Sequence, residues 1–152
     1  MTRDDALLQF ENRSGAHVDA VELEADYRAA SGLHLRGSVS HQRAVDDGSG
    51  QWLANSPRNL VKLNAIVPAG PTQRLGIEAR YESGRRTAVD TRTGGFAVLN
   101  LTLSGEWHGI SWSASVRNAL DRRYDLPATI DHTPDRLPSE GRTLQLSATV
   151  PF

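Results

Sequence analysis

The run Thr143-Leu144-Gln145-Leu146-Ser147-Ala148-Thr149-Val150-Pro151-Phe152 decides the fold. Leu144, Leu146, Ala148, Val150 and Phe152 alternate with Thr143, Gln145, Ser147, Thr149 and Pro151. An extended chain with this pattern has one apolar face and one small, polar face, whereas a helix would scatter both sets around its circumference.

The same period recurs upstream. Ile110, Trp112, Ala114 and Val116 alternate with Ser111, Ser113, Ser115 and Arg117, and Leu99, Leu101 and Leu103 alternate with Asn100, Thr102 and Ser104. Leu75, Ile77, Ala79 and Tyr81 form another such set, as do Val61, Leu63, Ala65 and Val67. Leu33, Leu35, Gly37 and Val39 follow it, then Val21, Leu23, Ala25 and Tyr27. A shorter stretch around Leu8 and Phe10 is expected to supply the first strand. The expectation is an all-β, antiparallel up-and-down meander of about eight long strands, many near the ~9–11 residues that cross a bilayer when tilted.

The connections alternate in length. Ala30-Ser31-Gly32, Pro68 to Thr72 and Gly105 to Gly109 are short, while Val45 to Ser56, Gly84 to Gly94 and Asn118 to Gly141 are long. In a meander, alternate links lie at opposite ends, so short turns gather at one rim and long loops at the other, as in bacterial outer-membrane barrels. The link Asn12 to Ala16 is short where a long one is expected. Tyr27, Trp107, Trp112 and Phe152 fall toward the short-turn rim, and Phe10, Tyr81 and Phe96 toward the other, as two aromatic girdles would.

Alternation alone also suits a soluble sandwich or barrel whose apolar face points inward. Long, regular antiparallel strands without a helical stretch meet the stricter demand of lipid, where every backbone N–H and C=O needs a partner, once the sheet closes. A fragment alone would be an open curved sheet with exposed edges, prone to aggregate in water.

Composition narrows the function. The 152 residues are 38% hydrophobic and only 6% aromatic, and their net charge of -1 offers no surplus for nucleic-acid phosphates. Without cysteine there is no thiolate site and no disulfide. Met1-Thr2-Arg3-Asp4-Asp5 is not the apolar start of an export signal. As a whole gene product the chain would be expected in the cytoplasm, but as a fragment it is silent on export.

The chemistry-bearing residues do not group as catalysts. His17, His34, His41, His108 and His132 show no metal-ligand spacing. Ser111, Ser113 and Ser115 lack a nucleophile elbow. Asp46-Asp47-Gly48-Ser49-Gly50 lacks the distal glutamate of a calcium loop, and Gly94-Gly95 precedes no phosphate-binding helix. Glu22, Glu24 and Asp26, with Arg28 and Arg36, read as a charge ladder on the lumen face. No catalytic, cofactor-binding or metal-binding residue is expected.

Val116-Arg117-Asn118-Ala119-Leu120-Asp121-Arg122-Arg123-Tyr124, with Pro127, then Gly141-Arg142-Thr143 and a strand ending at Phe152, resembles the end of TonB-dependent outer-membrane receptors. Ala119 and Leu120 depart from the family's commonest pair. Asn12 and Gly15 before Ala20-Val21-Glu22-Leu23-Glu24, and Leu53-Ala54-Asn55-Ser56-Pro57 opening a strand, add support. Within the motif, Asn118 and Asp121 are turn formers, Tyr124 suits the interface, and Gly141 with Arg142 leads back into the sheet.

The resemblance implies that residues 1–152 are the C-terminal segment of a plugged receptor barrel in a Gram-negative outer membrane, without the plug domain and the N-terminal strands. It implies outer-membrane lipid as surroundings, Phe152 as the signal for the barrel-assembly machinery, and TonB as a partner through an N-terminal box absent from these residues. The substrate class would be an iron-siderophore or another scarce large nutrient, bound by a protein that is not an enzyme. A self-contained eight-stranded barrel of structural or adhesive role and a soluble ligand-binding β-barrel stay open beside it.

Overall fold

A computed structural model of the chain describes residues 15–151, together with the backbone of residues 2–4 and 9–11. The elements in order are β1 (Thr2–Asp4), β2 (Gln9–Glu11), β3 (Ala16–Arg28), β4 (His34–Asp46), β5 (Asn59–Pro68), β6 (Arg74–Glu82), β7 (Phe96–Trp107), β8 (Ile110–Arg117), β9 (Asp125–Pro127), β10 (Arg136–Pro138) and β11 (Thr143–Thr149). Seven of them form one antiparallel meander in the order β3-β4-β5-β6-β7-β8-β11. This open sheet does not close, because β11 pairs with β8 and not with β3. A self-contained barrel would require that missing pairing.

The eighth expected strand is not in this sheet. Phe10 lies in β2, which pairs with β1 as a separate two-stranded ribbon. Leu8, Asn12 and Phe152 lie outside the described residues.

Register explains why alternation survives across the whole sheet. One row of directly opposed residues runs Tyr27, Leu35, Ala65, Ile77, Leu101, Val116, Leu144, through all seven strands. A one-residue slip anywhere would turn that strand's apolar set to the wrong face. The matching polar row on the other face is Asp26, Arg36, Asn64, Glu78, Asn100. Ten residues of β5, at about 3.3 Å each and tilted about 40°, reach roughly the 25 Å height of a membrane barrel's apolar band.

The apolar face has no second layer over it. Leu144 is 73% exposed, Leu146 83%, Val21 74% and Leu23 73%. A soluble sandwich would bury these side chains against a facing sheet, and here none does. The buried apolar residues Ala44, Val45, Phe96, Val98 and Ala128 lie mostly toward the long-loop rim.

The short rim is built from tight turns. β7 continues through Gly105, where a link was expected, and ends in the two-residue turn His108-Gly109. Both residues have positive φ (48° and 79°), the signature of a turn that matches strand twist. Gly105 stays in the strand because it lies under the Trp112 ring, whose nearest atoms a Cβ would meet at 3.2 Å.

Candidate functional site

The lumen face carries the expected ladder. The Arg36 guanidinium reaches Glu24 at 2.5 Å, and Asp26 is shared between Arg28 at 3.2 Å and His34 Nε2 at 2.8 Å. Neighbouring strands place these groups opposite one another, since Asp26 pairs with Arg36 and Arg28 with His34 in the register. Further along the face, Asn100 Nδ2 donates to Glu78 at 3.1 Å, and the Thr102 and Ser115 hydroxyls lie 3.0 Å apart.

Three long loops crown the other rim: residues 47–58, 83–95 and 118–142. They are joined rather than loose. In the second, Arg86 donates to the Trp52 carbonyl at 2.7 Å and to Gln51 Oε1 at 2.6 Å in the first, and to Asp90 at 2.6 Å in its own loop. Arg85 adds a bond to Asn55 Oδ1 at 2.8 Å and pairs with the buried Glu82 carboxylate. Burial of Arg85, aided by nearby Arg80, pulls its pKa below the ordinary arginine value, so its ion pair with Glu82 matters for keeping that charge inside. The Trp52 ring lies under two guanidiniums, Arg58 at 4.7 Å and Arg92 at 5.9 Å.

The second loop meets the third through threonines. Thr87 is completely buried and its hydroxyl lies 2.9 Å from that of Thr91. Thr91 Oγ1 donates to Asp135 Oδ2 at 2.5 Å, which holds the Asp135 carboxyl below the usual carboxylate range.

The five residues of the closing motif fall at the two ends of the third loop. Asn118, at φ 48°, donates from Nδ2 to the Arg122 and Glu140 carbonyls and accepts the Arg122 N–H at 2.9 Å. Asp121 Oδ1 accepts the Arg142 N–H at 2.8 Å. A side chain at Gly141 would strike that carboxylate, with a Cβ only 2.7 Å from Oδ1. Tyr124 does not sit at the lipid interface: its ring stacks on Phe96, centroids 3.8 Å apart. Phe96 is opposite Glu82 on the lumen-facing set and is 4% exposed, so it is no girdle residue either. Within the loop β9 and β10 pair as a small ribbon. Beneath it lies a cavity of about 460 Å³ lined by Glu78, Arg80, Asn100, Arg117, Tyr124 and Glu140, among others.

The residues that join the loops, Trp52, Arg85, Arg86, Thr91 and Asp135, were not singled out from sequence. The only local cue was a pair of arginines just after Gly84, in a long link. Among the described residues no three His, Asp or Glu side chains gather as a metal site. The rim can bind through guanidiniums, aromatic rings and amides, and it holds no nucleophile–base pair.

The β-barrel family described as TonB dependent receptor-like matches residues 2–119. The crystal structure of the ferric-catecholate import receptor Fiu from E. coli K12, in its closed form, superposes with a TM-score of 0.72 at 22% identity. That match covers 96% of this chain and 22% of the Fiu chain. No curated protein matches the chain in sequence. The fold is thus that of a segment of receptor barrel wall, and the chain belongs to the TonB-dependent receptor β-barrel family. Proteins of this family are transporters of the Gram-negative outer membrane, not enzymes. The family match ends at residue 119, so the third loop and β11 enter through the structural likeness alone.

Proposed function

We propose that the chain forms the last part of the barrel wall, and the outer loops that follow, in an outer-membrane TonB-dependent receptor for a scarce large solute such as an iron-siderophore. One observation carries this reading: a continuous apolar row crosses all seven strands on a face nothing covers, while the opposite face holds ion pairs. That arrangement suits hydrocarbon outside and water inside. Fiu is a ferric-catecholate import receptor, which favours an iron chelate as the solute class. In this reading residues 1–152 are the C-terminal segment of a receptor whose plug and N-terminal strands lie outside them. TonB engages an N-terminal box there, and Phe152 is recognised by the barrel-assembly machinery through strand addition.

Single cysteines in the intact receptor on whole cells test the orientation. Ser49→Cys, Val89→Cys and Ile130→Cys should react with an impermeant maleimide, and Ser31→Cys in a short turn should not. Protection of all three loop positions would exclude them as outer loops. For Phe152, Phe152→Ala should lower the amount of assembled, heat-modifiable barrel, and unchanged assembly would remove that role.

A further inference from the structure

Outside the lumen and the loop crown, one polar cluster lies on the same strand face as the apolar band. On β4 the alternating set Leu35, Val39 continues as His41 and Arg43. Their neighbours mark where the apolar band ends: Val21 and Asn59 oppose His41, and Asp19 opposes Arg43. At about 3.4 Å per residue and about 40° tilt, His41 stands roughly 5 Å and Arg43 roughly 10 Å above Val39. That is the depth of lipid headgroups, level with or just above the girdle residue Tyr81, whose partner Val61 pairs with Val39.

His41, Arg43, Arg58 and Gln42 line a half-open pocket of about 280 Å³. The pocket is preorganised. His41 Nδ1 donates to Asn59 Oδ1 at 2.7 Å. The Arg58 guanidinium rests on the Trp52 ring, and its backbone N–H donates to Ser83 Oγ at 2.9 Å. Gln42 is held by Ser56 and the Pro57 carbonyl. Two guanidiniums and an imidazole face one carboxylate, Asp19, across the register from Arg43.

We propose that this pocket binds the phosphate of a phosphorylated lipid headgroup in the outer leaflet, whose acyl chains lie along Leu23, Val39 and Val61 below it. Guanidiniums match phosphate oxygens in geometry and charge, and the apolar band supplies the rest of the lipid's surroundings. A solute passing through the lumen would not meet this side of the wall. The inference rests on the barrel orientation proposed above.

The test uses the intact receptor, delipidated in detergent and titrated with diphosphorylated lipid A, with bound lipid counted by native mass spectrometry. Arg43→Gln/Arg58→Gln, checked for unchanged heat-modifiable mobility, should bind at least tenfold more weakly than the wild type, and Arg43→Glu/Arg58→Glu more weakly still. Dephosphorylated lipid A should bind the wild type no better than it binds the double variant. Equal binding by wild type and variants, equal binding of the dephosphorylated lipid, or displacement of lipid A by millimolar inorganic phosphate would each overturn the site. Leu23→Cys separates the two readings. Protected from a water-soluble maleimide in the membrane, it keeps the barrel orientation whatever happens to the lipid site, whereas rapid labelling would sink that orientation itself.

Discussion

The ring of Tyr124 lies flat on that of Phe96, centroids 3.8 Å apart and planes 11° from parallel, and this contact fastens the third loop to the lumen side of β7. Arg80 approaches the same Phe96 ring at 5.7 Å. Tyr124→Ala should free residues 118–142, losing about 1 kcal/mol of aromatic contact in addition to burial. Tyr124→Phe should stay close to the wild type. Hydrogen exchange of the loop in the intact barrel would show it: unchanged protection in Tyr124→Ala would mean the stack does not hold the loop.

Asn118 closes the end of β8 by bonding three backbone groups at once, and it is 7% exposed. Asn118→Ala leaves the Arg122 N–H and two carbonyls without this partner, at a cost of about 2–3 kcal/mol. Its left-handed backbone at φ 48° disfavours alanine further. Asn118→Gly should recover the backbone part of the loss but not the hydrogen-bonded part. Denaturant unfolding of the barrel, followed by heat-modifiable mobility, would rank the three proteins.

The Thr91–Asp135 tether should depend on acid. Its carboxylate accepts from the Thr91 hydroxyl, so its pKa in the folded protein lies below the ordinary value of about 3.8. The tether is therefore complete above that ordinary value and is lost as pH falls through the lowered one. Residues 118–142 should become more open to an acid-active protease below about pH 3.8, and Asp135→Ala should be open already at neutral pH. Equal cleavage of wild type and variant at neutral pH would count against the tether.

Leu146, opposite Ala114 and 83% exposed, lies in the middle of the apolar face of β11. Leu146→Arg should destabilise the membrane-embedded barrel by about 2–4 kcal/mol if the site is near the bilayer midplane. Its neighbour Ser147 faces the other way, opposite Ser113, and Ser147→Asn should change stability by only about 0.5 kcal/mol. Equal effects in unfolding from lipid vesicles would mean that the two faces do not meet different solvents.

Much of the wall was legible from residue order. A strand's two faces follow from local alternation, so Leu144, Leu146 and Val150 on one side and Glu24, Asp26 and Arg36 on the other could be assigned before any pairing was known. Loop lengths then separated the two rims. Two local cues misled. Gly105 looked like a turn because nothing nearby in sequence shows the Trp112 ring above it, and Phe10 looked like a sheet strand although β2 pairs with β1.

What the amino-acid order determined by itself is the set of residues that shun water, their period of two, and the unequal connections between them. Only the tertiary structure decided which loops touch, that Arg86 binds the Trp52 carbonyl, and that Tyr124 turns inward onto Phe96. The reason is physical: alternation is a property of neighbouring residues in an extended chain. A contact between residues tens of positions apart depends on register and curvature accumulated over several strands, which no short stretch encodes.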